Sequence, residues 1–288
     1  MTPRGIDHLV TAVRDLDMAA GLYERLGFQV GARNRHPWGT ENRLIQFERS
    51  FIELIALGEG GVIPPHRPRA FSFGAFVRDY LGRREGLALL ALGSDDAQAD
   101  AAFFVGSGVG DFEPFSFRRG ARRPDGSETE VAFILAFAAD PRAPDAGFFV
   151  CQHHYPDNFW NRALQEHANG AEGIAAVVLS AEEPQAHRSF LERFAGAPAR
   201  FPRGSDISLP LDGARLDVTT PDDAAELYGS VEADPHRAEF VAFAVRVPDM
   251  RALAHRLDAA GVPYGRFGSR LVVPASVARG VAIAFDPA

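Results

Sequence analysis

The sequence predicts an α+β protein of four βαβββ units, paired into two half-open mixed β-barrels. Three observations predict it. The chain repeats itself without a gap. Every copy has the same order of strand, helix and short strands. And a lone unit would leave one face of a curved sheet uncovered, which pairing closes around a cleft.

The repeat is plainest between Gly5–Phe28 and Gly173–Gly196, where Gly5, Ile6, Val10, Glu24 and Arg25 recur as Gly173, Ile174, Val178, Glu192 and Arg193. "AVRDLDM" (Ala12–Met18) returns as "AVRVPDM" (Ala244–Met250), and a weaker copy starts at Gly86. In the first unit, "GIDHLVTAV" (Gly5–Val13) reads as an apolar strand. Met18, Ala19, Leu22, Tyr23 and Leu26 then recur at helical spacing, with Asp residues before them and Gly27 as the stop. "GFQVGAR", "NRLIQFER" and "FIELIAL" supply the remaining strands. The four units run over 5–57, 86–156, 173–221 and 239–287. "FSFGAFVRDYLGR" (Phe71–Arg83) places Phe73, Phe76, Val77, Tyr80 and Leu81 on one helical face, which suits packing between the first two units. "PDNFWNRALQEHANG" (Pro156–Gly170) reads as a helix stopped at Asn169-Gly170. The expected organisation is therefore a first paired domain over 1–156, a linker helix over 157–172, and a second paired domain over 173–288 with a structural role.

The bulk numbers exclude several function classes. The 288 residues carry a net charge of −8, which argues against nucleic acid or an anionic membrane as the main partner. The basic run "FRRGARR" (Phe117–Arg123) is followed by Glu128 and Glu130 and reads as a solvated hairpin tip. A single cysteine, Cys151, excludes an internal disulfide framework. No stretch approaches the ~18 uninterrupted apolar residues of a membrane span. The N-terminus enters a folded segment with no signal-like run, so a cytoplasmic protein is expected. "GEGGV" (Gly58–Val62) lacks phosphate-loop spacing, and neither a dinucleotide fingerprint nor a Gly-x-Ser-x-Gly elbow occurs.

His8 stands out, because an imidazole buried in an apolar strand costs free energy without a partner. Glu53 lies on the last strand of the same unit. Either the two face a ligand, or they form a hydrogen-bonded pair that stabilises the sheet. His153, with Cys151 and Gln152, follows on "GFFVCQHHYP" (Gly147–Pro156), where Cys151 and His153 share a face. Cys151 reads most simply as a small buried hydrophobe. "HPWGTEN" (His36–Asn42) is turn-rich. Trp38 there can cover a cleft, and Thr40 and Asn42 can bond a carbonyl or hydroxyl, or equally their own hairpin. Phe159 and Trp160 either wall the cleft or pack the linker on the sheet.

The repeated units, the opening "DHLVTAVRDLDMAAGLYERLGF" and the strand "FIELIAL" resemble the vicinal oxygen chelate superfamily of glyoxalase I, extradiol dioxygenases and bleomycin-resistance proteins. "RHPWGTENRLIQF" (Arg35–Phe47) with "CQHHYPDNFW" (Cys151–Trp160) is similar to its glyoxalase-like domain proteins. The resemblance implies a divalent metal (Fe, Mn, Zn or Ni) held by a first-strand His and a last-strand Glu. His8 and Glu53 match those positions, and His153 completes a two-His, one-carboxylate set. The paired unit carries Leu89 where a second His is expected, with Cys151 near the Glu53 position. Units three and four carry Ala176 and Phe240 at the first-strand place, as in a structural copy. The implied activity is that of a metal-dependent lyase, isomerase or dioxygenase acting on a small oxygenated molecule, with Glu53 catalytic and His36, Thr40, Asn42, Cys151, Gln152, Phe159 and Trp160 around the substrate. The alternative is a non-catalytic, bleomycin-resistance-like binder of small molecules. Either way the partner is a small molecule, and a homodimer stays open.

Overall fold

The computed structural model describes residues 3–122, 126–229, 231 and 234–288, with the side chains of 121 and 122 also left aside. The first unit comprises β1 (Ile6–Ala12), α1 (Leu16–Arg25), β2 (Asn34–Arg35), β3 (Thr40–Gln46) and β4 (Phe51–Leu57). A connecting helix, α2 (Phe73–Leu81), leads to β5 (Gly86–Gly93), α3 (Ala97–Ser107), β6 (Phe115–Arg122), β7 (Glu128–Ala138) and β8 (Gly147–His153). The short α4 (Pro156–Phe159) crosses to β9 (Gly173–Ser180), α5 (Arg188–Ala195), β10 (Ile207–Leu211), β11 (Ala214–Thr219) and α6 (Pro221–Tyr228). The last unit is β12 (Glu239–Val247), α7 (Met250–Ala259), β13 (Gly265–Phe267), β14 (Arg270–Val273) and β15 (Ala282–Pro287).

The strands form two mixed sheets, ordered β2-β3-β4-β1-β5-β8-β7-β6 and β10-β11-β9-β12-β15-β14-β13. Within each, two units meet through their antiparallel first strands, β1 on β5 and β9 on β12. The third unit lacks one strand: a single bridge, Arg200 to Ser208, stands in its place. Pro198 and Pro202 flank that bridge, and proline cannot donate to a ladder.

Helix caps put the four units in register. Asp15, Asp96 and Asp249 each accept two backbone N–H bonds at the start of α1, α3 and α7, and Glu183 holds the same place before the turn Pro184–His187. Counting back from each cap, His8 corresponds to Leu89, Ala176 and Ala242. Phe240, the expected fourth counterpart, instead faces away from the cleft, because a bulge between Phe240 and Ala242 shifts the strand.

The backs of the two sheets, with α1, α3, α5 and α7, share one continuous hydrophobic core. Phe148 of the first half packs on Phe190, Phe194 and Phe240 of the second at centroid separations of 5.0–5.4 Å. Each concave face has its own cluster. The second one is lined by alanines (Ala176, Ala242, Ala244, Ala282 and Ala284) and filled by Tyr228 of α6 and Phe267.

The segment 157–172 is not one helix. After α4 the chain extends through Trp160, then makes a 3-10 turn at Arg162–Leu164. The side chain of Gln46 explains the break: its amide donates to Phe159 O (3.1 Å) and accepts from Asn161 N (2.9 Å), diverting groups an α-helical ladder would use. Gln165 donates to Phe47 O and His167 to Gln46 O, so the segment is stitched along the end of β3.

Candidate active site

The first concave face has a polar centre, where the second is lined by alanines. Strand alternation sends Phe51, Glu53 and Ile55 of β4, and Asn42 and Leu44 of β3, inward. In β1 a bulge intervenes. Ile6 pairs with Leu92 and His8 with Ala91, leaving Asp7 as the extra residue. Ile6 and Leu9 both face the shared core, so Asp7 and His8 are turned to the same side despite being neighbours.

Asp7 is consequently the hub of the site. Its Oδ1 lies 2.5 Å from His8 Nδ1 and its Oδ2 lies 2.9 Å from His153 Nε2. Burial alone would raise the Asp7 pKa. The charges and hydrogen bonds of His153 and His8 outweigh that and hold its carboxyl well below the usual carboxylate range. The bond to Asp7 fixes His8 with Nε2 forward, 4.0 Å from Glu53 Oε2. The His8 ring stacks on Phe51 (4.3 Å) and meets the edge of Phe149 (5.2 Å).

Glu53 is held from the other side. Asn42 Nδ2 donates to Glu53 Oε1 (2.5 Å), and Asn34 donates to Asn42 Oδ1 (3.2 Å). His36 Nε2 stands 3.8 Å from the same carboxylate oxygen. Its Nδ1 is bonded to Thr40 Oγ1 (2.9 Å), and its ring stacks on Trp38 (4.5 Å). Burial lowers the His36 pKa, partly opposed by Glu53.

These groups line a chamber of about 60 Å³, walled by Trp38, Phe73, Phe117, Phe133, Phe149 and Phe159, with Cys151 and Arg119 also reaching it. An outer vestibule of about 710 Å³ shares Leu44, Arg119 and Phe159 with the chamber and is lined farther out by Asn34, Gln46, Asp157 and Trp160. Those three shared side chains form the neck between the two spaces.

The structure therefore brings His8, His36, Asn42 and Glu53 together, with Thr40 behind His36. Phe159 lines both the chamber and the vestibule, and Trp160 lines the vestibule. His153 lies behind His8 on the other side of Asp7 and is not among the chamber's lining residues. With Asp7 and Cys151 it forms a compact set whose potential donor atoms lie within 4.8 Å of one another, a group able to hold a metal ion. Burial pushes the Cys151 thiol well up, and the Asp7 carboxylate reinforces the shift, so the sulfur keeps its proton. Gln152 points the other way, as strand alternation requires: its amide accepts from Ala97 N and donates to Asp95 O, capping α3 rather than meeting a ligand. Register also moves the expected counterpart of Glu53. Glu53 pairs with Val10, two residues past His8; the matching residue in the second unit, opposite Ala91, is Phe149, and Cys151 sits one rung further on. Leu89 and Phe149 thus leave the second unit without either donor.

Two residues of the site are not expected from the sequence. Alternation alone points Asp7 away from His8; only the bulge reverses that. Arg119 lies in the run that reads as a solvated hairpin tip, but Phe117–Arg122 continues β6, and Phe115, Phe117 and Arg119 alternate toward the cleft. The spacing Phe-x-Phe-x-Arg carried that signal. Arg123 lies outside the described residues.

A family model described as a glyoxalase-like domain matches residues 6–195, ending with α5. No curated protein matches the sequence. Solved structures do match in fold. A hypothetical protein from Staphylococcus aureus aligns at a TM-score of 0.68 and 13% identity, over 99% of this chain and all of that one. A mutant 4-hydroxymandelate synthase from Streptomyces coelicolor aligns at 0.59 and 14%, over 99% and 92% of the two chains. A Mn(II)-bound glyoxalase from Novosphingobium aromaticivorans aligns at 0.57 and 14%, over 98% and 82%.

Proposed function

Because the chain belongs to the glyoxalase-like domain family, we propose that it is an enzyme whose first-half cleft binds a divalent cation at His8 and Glu53 and acts on a small oxygenated molecule. One observation carries the reading. The His8 Nε2 and Glu53 Oε2 atoms face each other across 4.0 Å in a buried chamber, each locked from behind, by Asp7 and by Asn42.

The donors suit such an ion. Ligand atoms sharing a metal at about 2.0–2.2 Å lie roughly 3 Å apart, so a small side-chain adjustment brings these two into range. An imidazole whose rear nitrogen is bonded to a carboxylate is the usual setting of a metal-bound histidine. His36 is the nearest third donor. A site of nitrogen and oxygen donors accords with Mn, Fe, Zn or Ni. The Asp7–Cys151–His153 group is the poorer seat, because both Asp7 oxygens are already engaged by imidazoles.

When bound, the cation would supply positive charge to neighbouring substrate oxygens and stabilise an enolate or alkoxide as it forms. The chain's own residues do the rest. Asp7 keeps His8 in one tautomer. Glu53 and His36 stand where a proton next to a carbonyl can be taken up and returned. The aromatic walls exclude water from the chamber. Lyase, isomerase and dioxygenase chemistry all fit this arrangement.

A second reading draws on Leu89 and Phe149. With the second unit bare of donors, the same cleft serves a metal-free binding protein. The test is elemental analysis of protein purified without a His-tag. Stoichiometric metal that disappears in His8→Ala/Glu53→Ala and persists in Cys151→Ser supports the enzyme. Metal that persists in the double variant refutes it, and so does a protein that takes up no metal yet is stabilised by aromatic ligands.

A further inference from the structure

Arg119 has no assigned role, and its surroundings are unusual for an arginine. The residue sits on β6 at the neck, shared by the inner chamber and the outer vestibule. No carboxylate or carbonyl among the described residues accepts a hydrogen bond from it. Among the described residues Glu53 is the acidic side chain whose charge bears on it, and that carboxylate already accepts from Asn42. Its exposed strand neighbour Arg118 has Glu130 nearby, at 3.7 Å. A half-buried guanidinium presents five donors in a planar fork that matches a carboxylate bidentately. Leaving those donors unpaired next to an apolar chamber costs free energy that an incoming anion would recover.

The rest of the chamber defines the other end of the ligand. At about 60 Å³ it has room for roughly four or five water-sized groups, about one ring. Its faces are edges and planes of Phe51, Phe73, Phe133 and Phe149, which suit a flat apolar body.

Resting on the proposed function of this cleft, we infer that its substrate is a small monocyclic or comparably flat carboxylic acid. Its flat body, carrying the oxygens that would face the cation, fills the chamber beside His8 and Glu53, and its carboxylate is gripped at the neck by Arg119. Arg119 is then a specificity-determining residue. The vestibule beyond it, with Asn34, Gln46 and Trp160, admits the ligand and accommodates any polar extension past the carboxylate.

The test compares two probes of one shape, phenylacetate and 2-phenylethanol, by titration calorimetry on the intact protein. The wild type should bind phenylacetate at least tenfold more tightly than the alcohol. Arg119→Met should abolish that preference, weakening phenylacetate about tenfold or more while leaving 2-phenylethanol within about twofold. Arg119→Lys, which keeps the charge and loses the fork, should fall between. Arg119→Gln replaces the methionine variant should that one not fold. Equal affinities in the wild type, a preference that survives removal of the charge, or no binding of either probe overturns the inference. Metal content read on the same samples separates the two claims: acid selectivity that fails in protein still losing its metal with His8 and Glu53 sinks the substrate class alone, whereas metal that ignores those residues sinks the reading of the site.

Discussion

Asp7 Oδ1 and His8 Nδ1 lie 2.5 Å apart although the two residues are sequence neighbours on a strand. An unbroken strand would send their side chains to opposite faces. The bulge at this point is what turns a carboxylate into the rear support of an imidazole, and it leaves the other carboxylate oxygen for His153.

Asp7→Asn should therefore keep the fold and loosen the site. Loss of the rear carboxylate is expected to weaken metal binding by His8 about 10–100-fold, measured by competition with a chelating dye. Asp7→Ala goes further. It strands two buried imidazoles and should cost about 3 kcal/mol, read as a shifted midpoint in urea unfolding.

Gln46 clamps the chain at Phe159 and Asn161. Gln46→Ala removes both bonds and should cost about 1–3 kcal/mol. Hydrogen exchange should quicken at Asn161 and along Arg162–Gln165 while β1 and β5 keep their protection. Unchanged exchange there would show that the mouth of the cleft is held by aromatic packing instead.

His167 predicts a pH effect away from the site. Burial lowers its pKa from the ordinary value, against a smaller opposing bond to Gln46 O. Its Nδ1 accepts from Gln29 N, a bond only the unprotonated nitrogen can make. A histidine with a depressed folded pKa takes up its proton more readily once unfolded. Its contribution is therefore complete above about pH 6.5 and declines as pH falls below that value. Stability should drop between pH 7.5 and 5.5, and His167→Gln should flatten that slope.

Tyr228 fills the second cleft with its side chain 2% exposed and Arg270 4.9 Å above its ring. Tyr228→Ala should cost about 3–5 kcal/mol, as large buried aromatics do. It should leave metal content and ligand affinity in the first cleft unchanged. A change in either would tie the second half to the chemistry.

Much of this architecture is legible in the letters. Caps at Asp15 and Asp249, the stop at Gly27 and the alternation of "FIELIAL" are local signals, and local signals fix elements. The harder features depend on contacts between distant parts of the chain. The linker 157–172 has a helical pattern, and Gln46, more than a hundred positions away, undoes it. Asp7 is turned toward His8 through a bulge set by pairing with β5. Matching "AVRDLDM" to "AVRVPDM" places Phe240 opposite His8, whereas the caps place Ala242 there. Identity of letters misled by two residues where hydrogen-bonded geometry did not.

The common core behind the two sheets has a further consequence. Phe148 rests on rings from α5 and β12, so the first half has no polar exterior of its own on that side. Cut free at the boundary near 172, it would display a broad greasy wall and clump with its own kind. On the proposed reading, the second half need carry no chemistry to be indispensable: it would serve as a solubilising partner, free to drift on its inner face so long as its back still fits.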